Sequence, residues 1–337
     1  MTIRSWLIGL LVAATPVLDP LALVEPTVVV SVAERARLDR GELVLRVLPS
    51  GRGQVAVFGA TRIGVDPVEL IAAANDIADL RKSGLVLAIQ RFSSPPQAAD
   101  LDALTLDAHD REVLSACEVG NCSFKLSAIE IEVIRRSRYG DVDGDRITAA
   151  LRRVMLERTR AYLSAGLAAL PPIANRSRPW YLHDVLAAAR AESPRLLSEP
   201  PLSWWLGDDG DAAPVESFLY WSKEHFGTGK PVILITHVAI YRPSTGAAVV
   251  IGKQIFGSRY TNGALSMMAI GTAESGDRYL VYLNRSTVDL LGGVFGGVKR
   301  AMLEARLAGE LPELIGRLRD RLERSHHVSR ADSLRHH

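Results

Sequence analysis

Two apolar runs, ELVLRVL and QVAVFGATRIG, stand on either side of Pro49-Ser50-Gly51-Arg52-Gly53, a spacing that predicts a β-hairpin. Asp66 and Pro67 then open VELIAAANDIADLRKS. An N-cap aspartate with proline at the first helical position is a start signal, because a helix leaves its first N–H groups unpaired in any case. GLVLAIQRFS, residues 84–93, is apolar enough for a strand, and Pro95-Pro96 ends it. Over 97–230 the pattern turns helical. Ser127-Ala128-Ile129-Glu130 fits a capping box, and helices are predicted from about Arg146 to Ala169, over 180–192 and over 213–225. After Pro231 come VILITHVAIYRP, AAVVIGKQIFGSRYTN, ALSMMAIGTA and RYLVYLNRS, closely spaced β-type runs that predict an antiparallel meander. VDLLGGVFGGVKRAMLEARLAGELPELIGRLRDRLE closes the pattern as a long amphipathic helix or helix pair, with Pro312 marking a break.

This order predicts an α+β fold, an antiparallel curved sheet with a long C-terminal helix and a large helical insertion. The sheet domain takes 41–93 plus 231–325, the insertion 97–230, a leader 1–33 and a flexible tail 326–337. Composition agrees with a packed chain: 47% of the 337 residues are hydrophobic and 23% charged. The formal charge of +2 is spread along the sequence, so a nucleic-acid partner, which wants a clustered basic stripe, is not expected.

Met1-Thr2-Ile3-Arg4 followed by WLIGLLVAA has the basic start and short apolar core of an export signal. Asp19, Glu25 and three prolines break the run before it could span a membrane. Small residues at 12–14 (VAA) and 31–33 (SVA) offer two cleavage points, and a buried N-terminal helix is the alternative. Cys117 and Cys122 are the only cysteines. Alone they cannot complete a tetrahedral zinc site, no histidine lies nearby in sequence, and C-x-x-C redox chemistry needs two intervening residues, so no metal is expected. Their spacing around Gly120-Asn121 suits a small disulfide loop, which would accord with an exported (periplasmic or secreted) protein; two buried thiols are the other reading. DVDGD at 141–145 puts Gly144 at the fourth position and Arg152 at the twelfth, where a calcium loop needs glycine at the sixth and glutamate at the twelfth, and it reads as a helix start.

The order hairpin, helix, helical connection, antiparallel strands and long last helix resembles the helix-grip fold of START-type lipid-transfer and polyketide-cyclase-like proteins. FLYWSKEHFG, VYLNRS and LLGGVFGG are also similar to blocks of bacterial exported proteins of uncharacterised function. The resemblance implies a cavity between sheet and last helix. It names no ligand; the partner expected from the architecture is a hydrophobic small molecule or lipid, with no cofactor.

Alternation places His237 on one strand face with Ile233, Ile235, Ala239 and Tyr241. If His237, Tyr241, Gln254, Ser258 and Asn284 converge in an apolar pocket, they would be the few polar groups that orient a ligand. Lys253 and Arg259 have the opposite parity and read as solvent-facing. No G-x-S-x-G elbow, Walker loop or H-E-x-x-H motif occurs, and His237 is the main acid or base candidate for an enzyme reading. Gly292-Gly293 and Gly296-Gly297 read as a close approach of helix to sheet. Phe218 and Trp221, at one helical face of an aromatic segment beginning at Trp204, would dock the insertion, form a lid or touch a membrane surface. Three functions follow: an exported binding protein, an enzyme on the same scaffold, and an envelope interaction protein without a ligand.

Overall fold

The computed structural model describes residues 19–51, 53–138, 145–193, 195, 202, 205–206, 216–225, 229–289, 309, 312–313 and 315–324. The fold is α+β, built on one open eight-stranded antiparallel sheet of order β1-β2-β8-β7-β6-β5-β4-β3. The expected hairpin is β1 (Val44–Leu48) and β2 (Gln54–Arg62). Helices α2 (Pro67–Asn75) and α3 (Ile77–Leu80) follow, split where Asp76 leaves helical geometry and its carboxylate caps Asp79 N–H. β3 (Val86–Arg91) forms the far edge. Four strands, β5 (Val232–Tyr241), β6 (Ala248–Gly257), β7 (Thr261–Thr272) and β8 (Arg278–Val288), make the meander read from the sequence, and β8 closes against β2.

Between β3 and the meander lie α4 (Ala108–Ser115), α5 (Ala128–Ser137), α6 (Asp145–Ala165) and α7 (Leu182–Ala191). The predicted helix over 213–225 is a strand instead. β4 (Glu216–Glu224) pairs with both β3 and β5, so the helical insertion ends before it and the sheet gains a strand. Phe218 and Trp221 therefore point to opposite faces of the sheet rather than along one helix.

The long C-terminal helix is also not what the structure describes. A short helical run over 315–324 is seen, and the glycine pairs at 292–293 and 296–297, the residues DVDG of 141–144, Trp204 and the tail lie outside the described residues. Of the predicted leader, 1–18 lies outside as well. From Asp19 onward the chain is part of the core: Leu21, Leu23, Val24 and Val28 are buried, and Ser31 forms a capping box with Glu34 at the start of α1 (Val32–Asp39).

Both sheet faces carry helices. Face A, with Trp221, Ile235, Ile251, Met267, Val281 and Phe58, packs under α1 and α4–α7. Face B, with Val238, Ile240, Val250, Ile270 and Leu280, packs under α2, α3 and the 315–324 run. Ile315 lies over Gly59, where a Cβ would stand 2.3 Å from its Cδ1, so the close approach of the C-terminal run uses a glycine on the sheet side. Arg321 donates to the carbonyls of Asp79, Leu80 and Lys82, tying the run to the carbonyl end of α3.

Buried ion pairs join the helices to one another and to the sheet. Arg158 grips Glu130 at 2.9 and 2.5 Å, and the same glutamate completes the predicted Ser127 capping box. Arg259 meets Asp110 at 2.7 Å under the Phe124 ring. Arg259 and Lys253 are thus buried, not solvent-facing as their parity suggested. Cys117 and Cys122 form a disulfide. Its loop is held by mutual Glu118–Asn121 backbone bonds and by Gly120 N–H to the Ala174 carbonyl, and Gly120 adopts φ +86°, a conformation that favours glycine. Closing so short a loop contributes about 2 kcal/mol by restricting the unfolded chain.

Candidate functional site

Burial alternates along the inner strands. On β8, Val281, Leu283 and Arg285 point to face A and are buried, whereas Tyr282, Asn284 and Ser286 point to face B and are half-buried. On β7 the same holds for Leu265 and Met267 against Ala264, Ser266 and Met268, and on the neighbouring strands Thr236 and Gly252 are the half-buried positions. These residues sit in the interior of the eight-stranded sheet, away from either edge strand, so the partly accessible ground is the middle of face B.

Register defines its floor. One cross-strand row reads Val238–Gly252–Ser266–Asn284–Val57. The next holds Tyr220–Thr236–Gln254 on one side and Ala264–Ser286–Val55 on the other. The floor is hydroxyl- and amide-rich, with Ser286 Oγ donating to Asn284 Oδ1 at 2.7 Å. Its apolar end is Val55 and Val57, backed by Leu45 and Val288.

The charged end is reached from β4. Tyr220, Ser222 and Glu224 alternate onto face B, and Glu224 Oε1 accepts from Ser222 Oγ and from Arg81 Nη2, both at 2.6 Å. Glu224 is 3% exposed, while Arg81 is 40% exposed. Arg81 follows the last residue of α3, the helix whose end Arg321 ties down. Its guanidinium is held above its ordinary pKa by the Tyr220 oxygen and by Glu224, against the desolvation it experiences, and Tyr282 acts on it as well. Burial raises the Tyr282 phenol, which therefore stays protonated and able to donate. Tyr220 and Tyr282 stand on β4 and β8, four strand spacings apart, about 19 Å in a flat sheet.

The residues expected to converge do not. Gln254 and Asn284 lie on this floor, but His237 and Tyr241 belong to face A, and Ser258 sits beyond β6, where its Oγ accepts from Ile233 N–H. His237 is 9% exposed, bonded through Nδ1 to Tyr162 Oη at 2.8 Å and covered by Trp205, 4.9 Å between ring centres. Burial, with neighbouring Lys253, lowers its pKa to about 3. It is a neutral core histidine. Gln254 Nε2 is buried without a hydrogen-bond partner. The alternation Tyr220/Ser222/Glu224 was readable in the sequence only with β4 taken as a strand, and Arg81 had no sequence signal beyond its place at a helix end.

Two other recesses are less suited. A groove of about 450 Å³ near the β7–β8 turn is lined by Arg62, Arg278 and Arg319 with Asp277 and Glu323, but Arg62 and Arg278 are already paired with Asp277 and Asp66. A crevice beside Lys125, Arg158 and Trp180 measures about 10 Å³, room for roughly one water. Among the described residues no cluster of three His, Cys, Asp or Glu could hold a metal, and no helix is long and apolar enough to cross a membrane. Comparison with protein-family models, curated proteins and solved structures finds no match.

Proposed function

We propose that this protein binds a small amphipathic molecule over the middle of face B. The observation that carries the reading is the alternation on β7 and β8, where the inner positions on face A are buried while Ala264, Ser266, Met268, Tyr282, Asn284 and Ser286 on face B are half-buried. Binding sites combine apolar wall with a few convergent polar groups, and here Val55, Val57 and Met268 supply the first while Arg81, Tyr220, Tyr282 and Asn284 supply the second. The strand order adds support for the helix-grip likeness: a strand beside the last strand, two helices, then a far-edge strand and a meander back. Export is part of the proposal, and the disulfide is compatible with it. The enzyme alternative through His237 has no geometric support, since that ring is bonded and covered on the opposite face.

Native mass spectrometry of the purified full chain tests the reading. An adduct of small-molecule mass is expected, and it should vanish in Ser266→Phe, which fills the centre of the floor. A folded protein that carries no adduct, and whose Ser266→Phe variant binds added amphiphiles as the parent does, would point instead to an interaction surface.

A further inference from the structure

Charge does not balance around Lys125. This residue stands two positions before the Ser127 cap of α5, its side chain 3% exposed, and its Nζ donates to Asp289 Oδ2 at 2.6 Å and to Asn262 Oδ1. Asp289 serves Arg176 as well, so one carboxylate answers two cations. Arg158 on α6, with a side chain 1% exposed, gives its Nε and Nη2 to Glu130. Among the described residues three cations thus share two carboxylates.

Lys125 and Arg158 both line the crevice of about 10 Å³, together with Asn262 and the Trp180 ring, whose centre is 5.8 Å from Lys125 Nζ. No carboxylate among the described residues lines it. An ammonium carries three N–H donors, and two are engaged here; Arg158 Nη1 has no hydrogen bond among the described residues. Burial lowers the pKa of Lys125 to about 8 against the pull of Asp289, so the ammonium is still charged at pH 7. A water in the crevice would take up a donor and leave the charge desolvated. A monovalent anion offsets both, and the small volume shuts out acetate or phosphate.

We propose that this crevice is a halide site, in which one chloride ion sits between Lys125 Nζ and the Arg158 guanidinium, beside Trp180. It is separate from the middle of face B and does not depend on what binds there. The ion ties the entry of α5 to α6 and to Asn262 at the start of β7, so halide sets part of the stability of the helical layer.

The test uses the full chain at pH 7 in sodium chloride, sodium bromide and sodium acetate at one ionic strength. Chloride and bromide should raise the melting temperature above that in acetate by about 2 °C, and the rise should saturate with concentration. Lys125→Met, which keeps the aliphatic stem and leaves Asp289 to Arg176, should abolish the difference between the salts. Crystals of the unaltered chain in bromide give a readout that needs no variant: an anomalous peak in contact with Lys125 Nζ is expected. Equal melting in the three salts, a halide shift that survives in Lys125→Met, or an ordered water without anomalous signal in the crevice would each overturn the assignment.

Discussion

His237 shows how far one residue can be read. Strand parity placed it among apolar neighbours, and the structure keeps it there, neutral, with Tyr162 on Nδ1. The sign of its pH effect follows. Its pKa drops from 6.5 in the unfolded chain to about 3 in the fold, so below pH 6.5 the unfolded chain takes up a proton that the folded chain refuses. Stability is unaffected above that value and falls as pH drops from 6.5 toward 3, by about 2 kcal/mol at pH 5. We expect the His237 ring resonances to show no titration between pH 5 and 8, and His237→Gln to flatten the stability slope between pH 4 and 6.5. A ring that titrates near 6.5 would place His237 in contact with water. What parity could not give was its company. Gln254 lies next to Lys253 in sequence and across the sheet from His237 in space, and the bulge between Ile235 and Thr236 shifts the register there.

At the scale of elements, most of the sheet was legible because turn residues punctuate it: Pro49–Gly53, Pro243–Gly246 and Glu274–Asp277 each fall between strands. β4 was not. Phe218 and Trp221 stand three apart, a helical interval, and that coincidence concealed the period of two in Tyr220, Ser222 and Glu224. The candidate site was lost with it, since its acid, one phenol and one hydroxyl share that strand face. The docking of the C-terminal run carries its own prediction. Gly59→Val forces Cβ and its methyls into Ile315 and Leu45 and should cost about 1–3 kcal/mol in chemical denaturation. Ile315→Ala in the same chain should recover part of that loss, because it removes the nearest atom. Equal loss in the single and double variants would mean that the run does not rest on β2.

For the whole molecule, the core begins before the first strand. Leu21, Leu23, Val24 and Val28 are buried against the sheet side that α1 covers, and Thr27 donates to the Glu192 carbonyl. Removal of the chain through Ala33 would strip these contacts and the Ser31 cap. Four buried aliphatic side chains are worth about 1.5–3 kcal/mol each, comparable in sum to the stability of a whole domain. If the chain is exported and trimmed, its mature N-terminus should therefore fall before Asp19, and the VAA residues at 12–14 are the compatible end. Intact mass of the exported protein decides this: a mature chain starting at Glu34 would contradict the packing. The strand order has a temporal consequence as well. β2 is synthesised early, yet its second neighbour is β8, the last of the described strands to leave the ribosome. Until then the hairpin carries an unpaired edge, and so does the returning meander, so the sheet can be sealed only when nearly the whole polypeptide is available. Such a topology holds the unfinished chain open by its own wiring, a property that would suit the export proposed above.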